Sequence, residues 1–144
     1  MSTPALGTAR FEQLADRLAD RDRDLANALG AIAAALGDLR EHASRCVDSF
    51  VRAARERGCM HLTHVAVGPV EPDEKHVDCL QFKVARGRWE VTCVGKPRGV
   101  VTLVGPYRRG KEEKPCSEHP LPGTSSEAAL EELLLALLRE ATAR

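Results

Sequence analysis

Aromatic residues are scarce, with one Trp, one Tyr and three Phe making up 3% of the chain. A row of exposed stacking platforms for unpaired bases is therefore not available. Charge of one sign is absent as well: 21 basic residues meet 21 acidic ones, and 43% of the chain is hydrophobic. That balance argues against both a globally basic nucleic-acid binder and an unfolded polyelectrolyte. No apolar run reaches bilayer length. The richest, residues 130 to 138, is interrupted by Glu131 and Glu132 and followed by Arg139, and the N-terminus has no signal-peptide core. A soluble, cytoplasmic protein with no membrane partner is expected. The five cysteines, an odd number, fall at 46, 59, 79, 93 and 116 without framework spacing, as reduced thiols do. Enzyme signatures are missing: there is no Gly-x-Ser-x-Gly elbow, no His-Glu-x-x-His and no phosphate loop, since Gly95-Lys96 runs into Pro97. The sequence gives catalysis little support and implies no cofactor.

What is present is a heptad pattern. Phe11, Leu18, Leu25, Ile32, Leu39, Cys46 and Ala53 recur every seven positions, interleaved with Ala15, Leu29, Leu36, Ala43 and Phe50. Such a seam keeps one narrow stripe of a helix against a neighbour along its length. Asp22 breaks it, marking either a register-fixing residue or a point where the seam opens to solvent. The pattern predicts a helix from Thr8 to Arg57, with Gly58 as its stop. At about 1.5 Å per residue this helix is roughly 75 Å long, more than a domain of this size covers with its own core. A second helix from another chain is the expected cover. The alternative is a helical hairpin broken near Gly30 or Gly37, but the heptad phase crosses both glycines intact. The flanking Ala26, Ala28, Ala33 and Ala35 widen the apolar face enough for a multi-helix contact.

After Gly58 the periodicity changes to two. Leu80, Phe82 and Val84 share one face, and beyond the Arg86-Gly87 turn so do Trp89, Val91 and Cys93, the alternation of a half-buried antiparallel hairpin. A second turn around Pro97 leads into residues 100 to 104, and residues 61 to 67 are a possible fourth strand. Residues 105 to 123, rich in Pro, Gly and charge, read as mostly loop, with a short irregular hairpin around Gly110 conceivable. Thr124 and Glu127 have capping-box spacing ahead of a final helix, whose Leu130, Leu133, Leu134, Leu137, Leu138 and Ala141 offer a broad apolar face to the sheet. The expected fold is α+β: a long coiled-coil-like N-terminal helix, a small antiparallel meander of three to four strands, and a C-terminal helix packed on it. At 144 residues this is one folding unit, with residues 1–58 as the helical oligomerisation segment and 59–144 as the α+β module.

Two functional readings follow. In the first, a non-enzymatic assembly protein self-associates through Phe11, Leu18, Leu25, Leu29, Ile32, Leu36, Leu39 and Phe50, and presents its sheet to a protein partner. In the second, nucleic acid or another polyanion binds residues 83 to 111, where Lys83, Arg86, Arg88, Lys96, Arg98, Arg108, Arg109 and Lys111 face a single acid, Glu90. The hairpin divides these charges: Arg86 and Arg88 lie at one end, Lys96 and Arg98 at the other. A rim would form only if the segment around Tyr107 folds back beside one of them, with Tyr107 free to stack on a base. Cys59, His61 and His64, with Cys116 and His119, carry zinc-type ligand atoms, but their spacing matches no standard finger or ribbon, so no metal site is assigned.

Overall fold

The computed structural model describes residues 6–61, 64–110 and 114–142. One helix, α1 (Leu6–Glu56), runs unbroken for 51 residues, and both inner glycines lie within it. It ends as the sequence anticipates. Gly58 adopts φ +81°, Cys59 N donates to Ala54 O at 2.8 Å and Gly58 N to Arg55 O at 3.0 Å, which is the Schellman pair of bonds that satisfies the last carbonyls of a helix.

Among the described residues six strands follow, all antiparallel: β1 (Ala66–Val67), β2 (Glu71–Pro72), β3 (Leu80–Arg86), β4 (Trp89–Lys96), β5 (Val100–Arg108) and β6 (Cys116–Pro120). The sheet order is β1-β3-β4-β5-β6, with β2 also pairing β3. The chain closes with α2 (Thr124–Thr142), where the Ser126 hydroxyl donates to Gly123 O at 2.7 Å and ties the first turn to the preceding loop.

The expected α+β architecture is therefore present, with corrections in the sheet. The hairpin conceivable around Gly110 is present and longer than expected: β5 continues through Gly105 and Pro106 to Arg108, and β6 pairs Val104↔Cys116 through Val100↔Pro120, so strand takes up more of the described residues in this stretch than a mostly-loop reading allows. Glu71 and Pro72 form the short β2, and the first strand is only Ala66–Val67.

Both helices cover the same face of the sheet. Phe82 and Val84 of β3, Val91 and Cys93 of β4, and Val101 and Leu103 of β5 are fully buried or nearly so; Ile32, Leu36, Leu39, Ala43 and Val47 of α1 meet them with Leu130, Leu134 and Leu137 of α2 in one cluster. Gly95 makes the approach of α1 possible, because a Cβ there would lie 3.3 Å from both Ile32 Cγ1 and Leu36 Cδ2. Arg40 fastens the helix to the sheet edge, donating from Nε to Gly68 O at 2.6 Å and from Nη2 to Val67 O at 3.2 Å. Among the described residues no helix is long and apolar enough to cross a membrane.

Candidate functional site

The core claims only part of the heptad seam. Ile32, Leu36 and Leu39 are at most 3% exposed and Phe50 is half-buried beneath Arg86. Ile32, Leu36 and Leu39 pack in one core with the chain's own sheet and α2, so their part of the seam needs no second chain to cover it. Leu25 and Leu29 are half-buried, and beyond them α1 leaves the body. There Phe11, Leu14 and Leu18 are 73%, 45% and 48% exposed, a stripe repeating every three to four residues along one helical face. Asp22, at the break in the seam, is solvent-exposed. Between residues 10 and 24 four arginines alternate with five acids, giving the projecting half both signs of charge beside its apolar stripe.

The basic stretch is divided between the two ends of the sheet. Arg86 and Trp89 are register partners, as are Trp89 and Arg108, and Arg109 N donates to Arg88 O at 2.9 Å. Arg86, Arg88, Arg108 and Arg109 thus gather at one end. Lys96 and Arg98 lie at the other, about 24 Å away at roughly 3.4 Å per strand residue, and both pair with Glu118 of β6, at 3.7 and 2.6 Å. Lys111 lies outside the described residues. Within the first group, Arg86 is only 5% exposed and burial lowers its pKa. Arg109 donates to Gly87 O at 2.6 Å and sits 3.8 Å from Glu90 Oε2. Arg88 and Arg108 point into solvent.

Tyr107 is not free to stack on a base. It is 6% exposed, and its hydroxyl donates to Glu90 Oε1 at 2.7 Å and lies 2.6 Å from Thr92 Oγ1. Lys114 Nζ covers the ring, 4.3 Å from its centroid. Lys83 Nζ, 3.6 Å from Glu90 Oε1, completes a polar cluster on the sheet face that carries no helix. The cluster forms where β4 and β5 change register between Glu90 and Thr92. Gly105 adopts φ +120° opposite this point, and a Cβ there would be 2.8 Å from Glu90 O.

A grouping of metal-ligand types occurs at the joint of the two helices, among residues the sequence reading did not connect. His42 and Cys46 lie one turn apart on α1, and Glu131 reaches them from α2. His42 Nε2 is 2.8 Å from Glu131 Oε1 and 3.9 Å from Cys46 Sγ, and all three ligand atoms lie within 4.8 Å of one another. Burial, then the Glu131 carboxylate, raise the Cys46 thiol pKa. The i, i+4 spacing of His42 and Cys46 was legible in the sequence; Glu131, 89 residues from His42, carried no signal. Among the described residues, Cys59, His61, His64, Cys116 and His119 join no such group. Cys59 and Cys116 are exposed, and His119 Nε2 lies 2.9 Å from Ser117 Oγ within β6.

No protein-family model, curated protein or solved structure matches the chain.

Proposed function

We propose that this is a non-enzymatic assembly protein in which the projecting half of α1 pairs with the same segment of a second copy, leaving the sheet-and-α2 body at its end to meet a protein partner. The observation that carries this reading is the division of the heptad seam. The same heptad series runs from Ile32 and Leu39, buried in the core beside Leu36, to Leu18 and Phe11, which are exposed, with the exposed Leu14 flanking them. A stripe of this kind on a projecting helix is under pressure to be covered.

Charge favours a second copy as the occupant. With four arginines and five acids between residues 10 and 24, the segment meets its own likeness with little net repulsion, whereas a strongly acidic or basic partner would gain little from it. Full burial of a Leu or Phe side chain stabilises by about 1.5–3 kcal/mol. A few such side chains from each copy give a total on the order of 10 kcal/mol, comparable with the cost of association. The expected product is a reversible dimer whose population rises with concentration.

Light scattering with in-line size separation over a range of concentrations tests this. The expected result is a mass approaching that of a dimer at high concentration, and a monomer when Phe11→Glu and Leu18→Glu are combined, with helical content retained. A wild-type mass of one chain at every concentration overturns it.

The polyanion reading draws its support from Arg88 and Arg108, exposed at one end of the sheet. Retention of a fluorescent duplex at about 150 mM salt, weakening steeply with added salt and lost in Arg88→Gln/Arg108→Gln, would favour it over assembly alone.

A further inference from the structure

We propose that His42, Cys46 and Glu131 bind a divalent transition-metal ion of the zinc type at the joint between α1 and α2. Their donor atoms are an imidazole nitrogen, a sulfur and a carboxylate oxygen. That mixture suits zinc and its borderline-soft neighbours, while calcium and magnesium select oxygen ligands.

The geometry needs little adjustment. Around a zinc ion with bonds of about 2.0–2.3 Å, tetrahedral ligand atoms stand roughly 3.3–3.8 Å apart. The observed spacings of 2.8 Å from His42 to Glu131 and 3.9 Å from His42 to Cys46 bracket that range. The third pair, Cys46 Sγ and a Glu131 carboxylate oxygen, lies within 4.8 Å, so bringing all three donors onto one centre asks that pair to close by on the order of 1 Å at most.

The scaffold behind the group is fixed by the core. Leu39, Ala43 and Val47 on α1 and Leu130 and Leu134 on α2 are all buried, so the three Cα positions are held by packing on either side. The ligands themselves stand at the edge of that packing. The side chains of His42 and Glu131 are 18% and 51% exposed, which leaves solvent a route to the centre and a place for water as a fourth ligand.

An ordinary surface ion pair accounts for less of this arrangement. A half-exposed His-carboxylate contact needs no thiol beside it and stabilises little. Here a cysteine stands one helical turn from the histidine, with its sulfur turned toward the same nitrogen. On binding, the Cys46 thiol releases its proton to solvent and ligates as thiolate. The Glu131 carboxylate exchanges its contact with His42 for the metal, and His42 releases to solvent the Nε2 proton that faces the carboxylate, carries its remaining ring proton, taken from solvent if need be, on Nδ1, and ligates through Nε2. No electron is transferred.

The test uses the full chain, reduced, stripped with chelator and titrated with cobalt(II) as a spectroscopic stand-in. The expected result is one equivalent bound with a sulfur-to-cobalt charge-transfer band in the near ultraviolet, displaced by zinc, and a rise in melting temperature with either metal. Cys46→Ser should lose the band, and His42→Ala and Glu131→Gln should weaken binding by about tenfold or more. Cys59→Ser combined with Cys116→Ser should leave it intact. Absence of the band at stoichiometric cobalt overturns the proposal, as does a band that survives Cys46→Ser or vanishes in the double variant. Glu131→Gln changes an exposed side chain, so it keeps the test decisive if Cys46→Ser folds poorly: unchanged affinity in that variant also overturns the site.

Discussion

Arg86, at the end of β3, donates from Nη1 to the Leu138 carbonyl of α2 at 2.9 Å, while its guanidinium carbon lies 5.7 Å over the Phe50 ring of α1. One side chain therefore holds the sheet to both helices at once. Its position near the C-terminal end of α2 is favourable for a cation. The opposing effect is desolvation, since Arg86 Nη2 is buried with no partner among the described residues. Arg86→Ala removes a charged hydrogen bond and the packing of the stem, with an expected loss of about 2–4 kcal/mol. Arg86→Met keeps the stem and removes the buried charge, so its loss should stay below about 1.5 kcal/mol. Urea unfolding midpoints compared at constant slope measure both.

Alkaline pH should find a weak point at Tyr107. Burial, reinforced by the neighbouring Glu90, pushes its pKa up to about 12 from the ordinary 10.0. Between those values the unfolded chain gives up the phenolic proton and the native state keeps it, so stability falls as pH rises, by on the order of 2 kcal/mol across the window. Below pH 10 the group contributes no slope. Tyr107→Phe should lose about 1–2 kcal/mol at neutral pH, from the broken bonds to Glu90 and Thr92, and should lack the alkaline decline. Denaturant titrations at pH 8 and 11 separate the two effects.

The five cysteines should divide by reactivity. Cys59 and Cys116 are exposed, Cys46 and Cys79 half-buried, and Cys93 fully buried, where desolvation holds its thiol far above the ordinary range. A colorimetric disulfide reagent should modify two thiols quickly and two slowly, with the fifth appearing only on unfolding. Cys93→Ala should abolish that last step.

The two halves of the heptad seam should respond differently to the same change. Leu36 is fully buried and Leu18 is 48% exposed. Leu36→Ala should cost about 2–5 kcal/mol in unfolding free energy, whereas Leu18→Ala should stay within about 0.5 kcal/mol for the monomer. Urea unfolding at low protein concentration checks this, since dilution removes any contribution from association.

Much of the architecture was legible because periodicity reports burial. Two-residue alternation located the hairpin of β3 and β4, and the leucine face located α2. The strand β6 left only the hint of a short hairpin around Gly110 because it is an edge: Cys116, Ser117 and Glu118 are exposed, and an edge strand that contacts little core has no need of apolar alternation. The end of β5 was hidden by Gly105 and Pro106, two residues that ordinarily mark turns. The heptads correctly indicated a long helix but could not say what covers each stretch of it, since the same leucine spacing serves a sheet or another helix. The His42–Cys46–Glu131 grouping depends on how α1 and α2 cross, which one-dimensional spacing does not encode.

The continuity of α1 across its buried and projecting halves has a further consequence, in helix-coil terms. Starting a helix is the unfavourable step and extending one is nearly neutral, and the turns fixed against the sheet at Ile32, Leu36 and Leu39 act as a permanent nucleus for those nearer the N-terminus. The projecting half inherits its helicity from the anchored half, so amide hydrogen exchange should slow progressively from Phe11 toward Ile32, rather than change in one step where the helix leaves the core. A point change that loosens the anchor would then melt residues far from it, and a second copy clasping the free end would flatten the gradient from the other side.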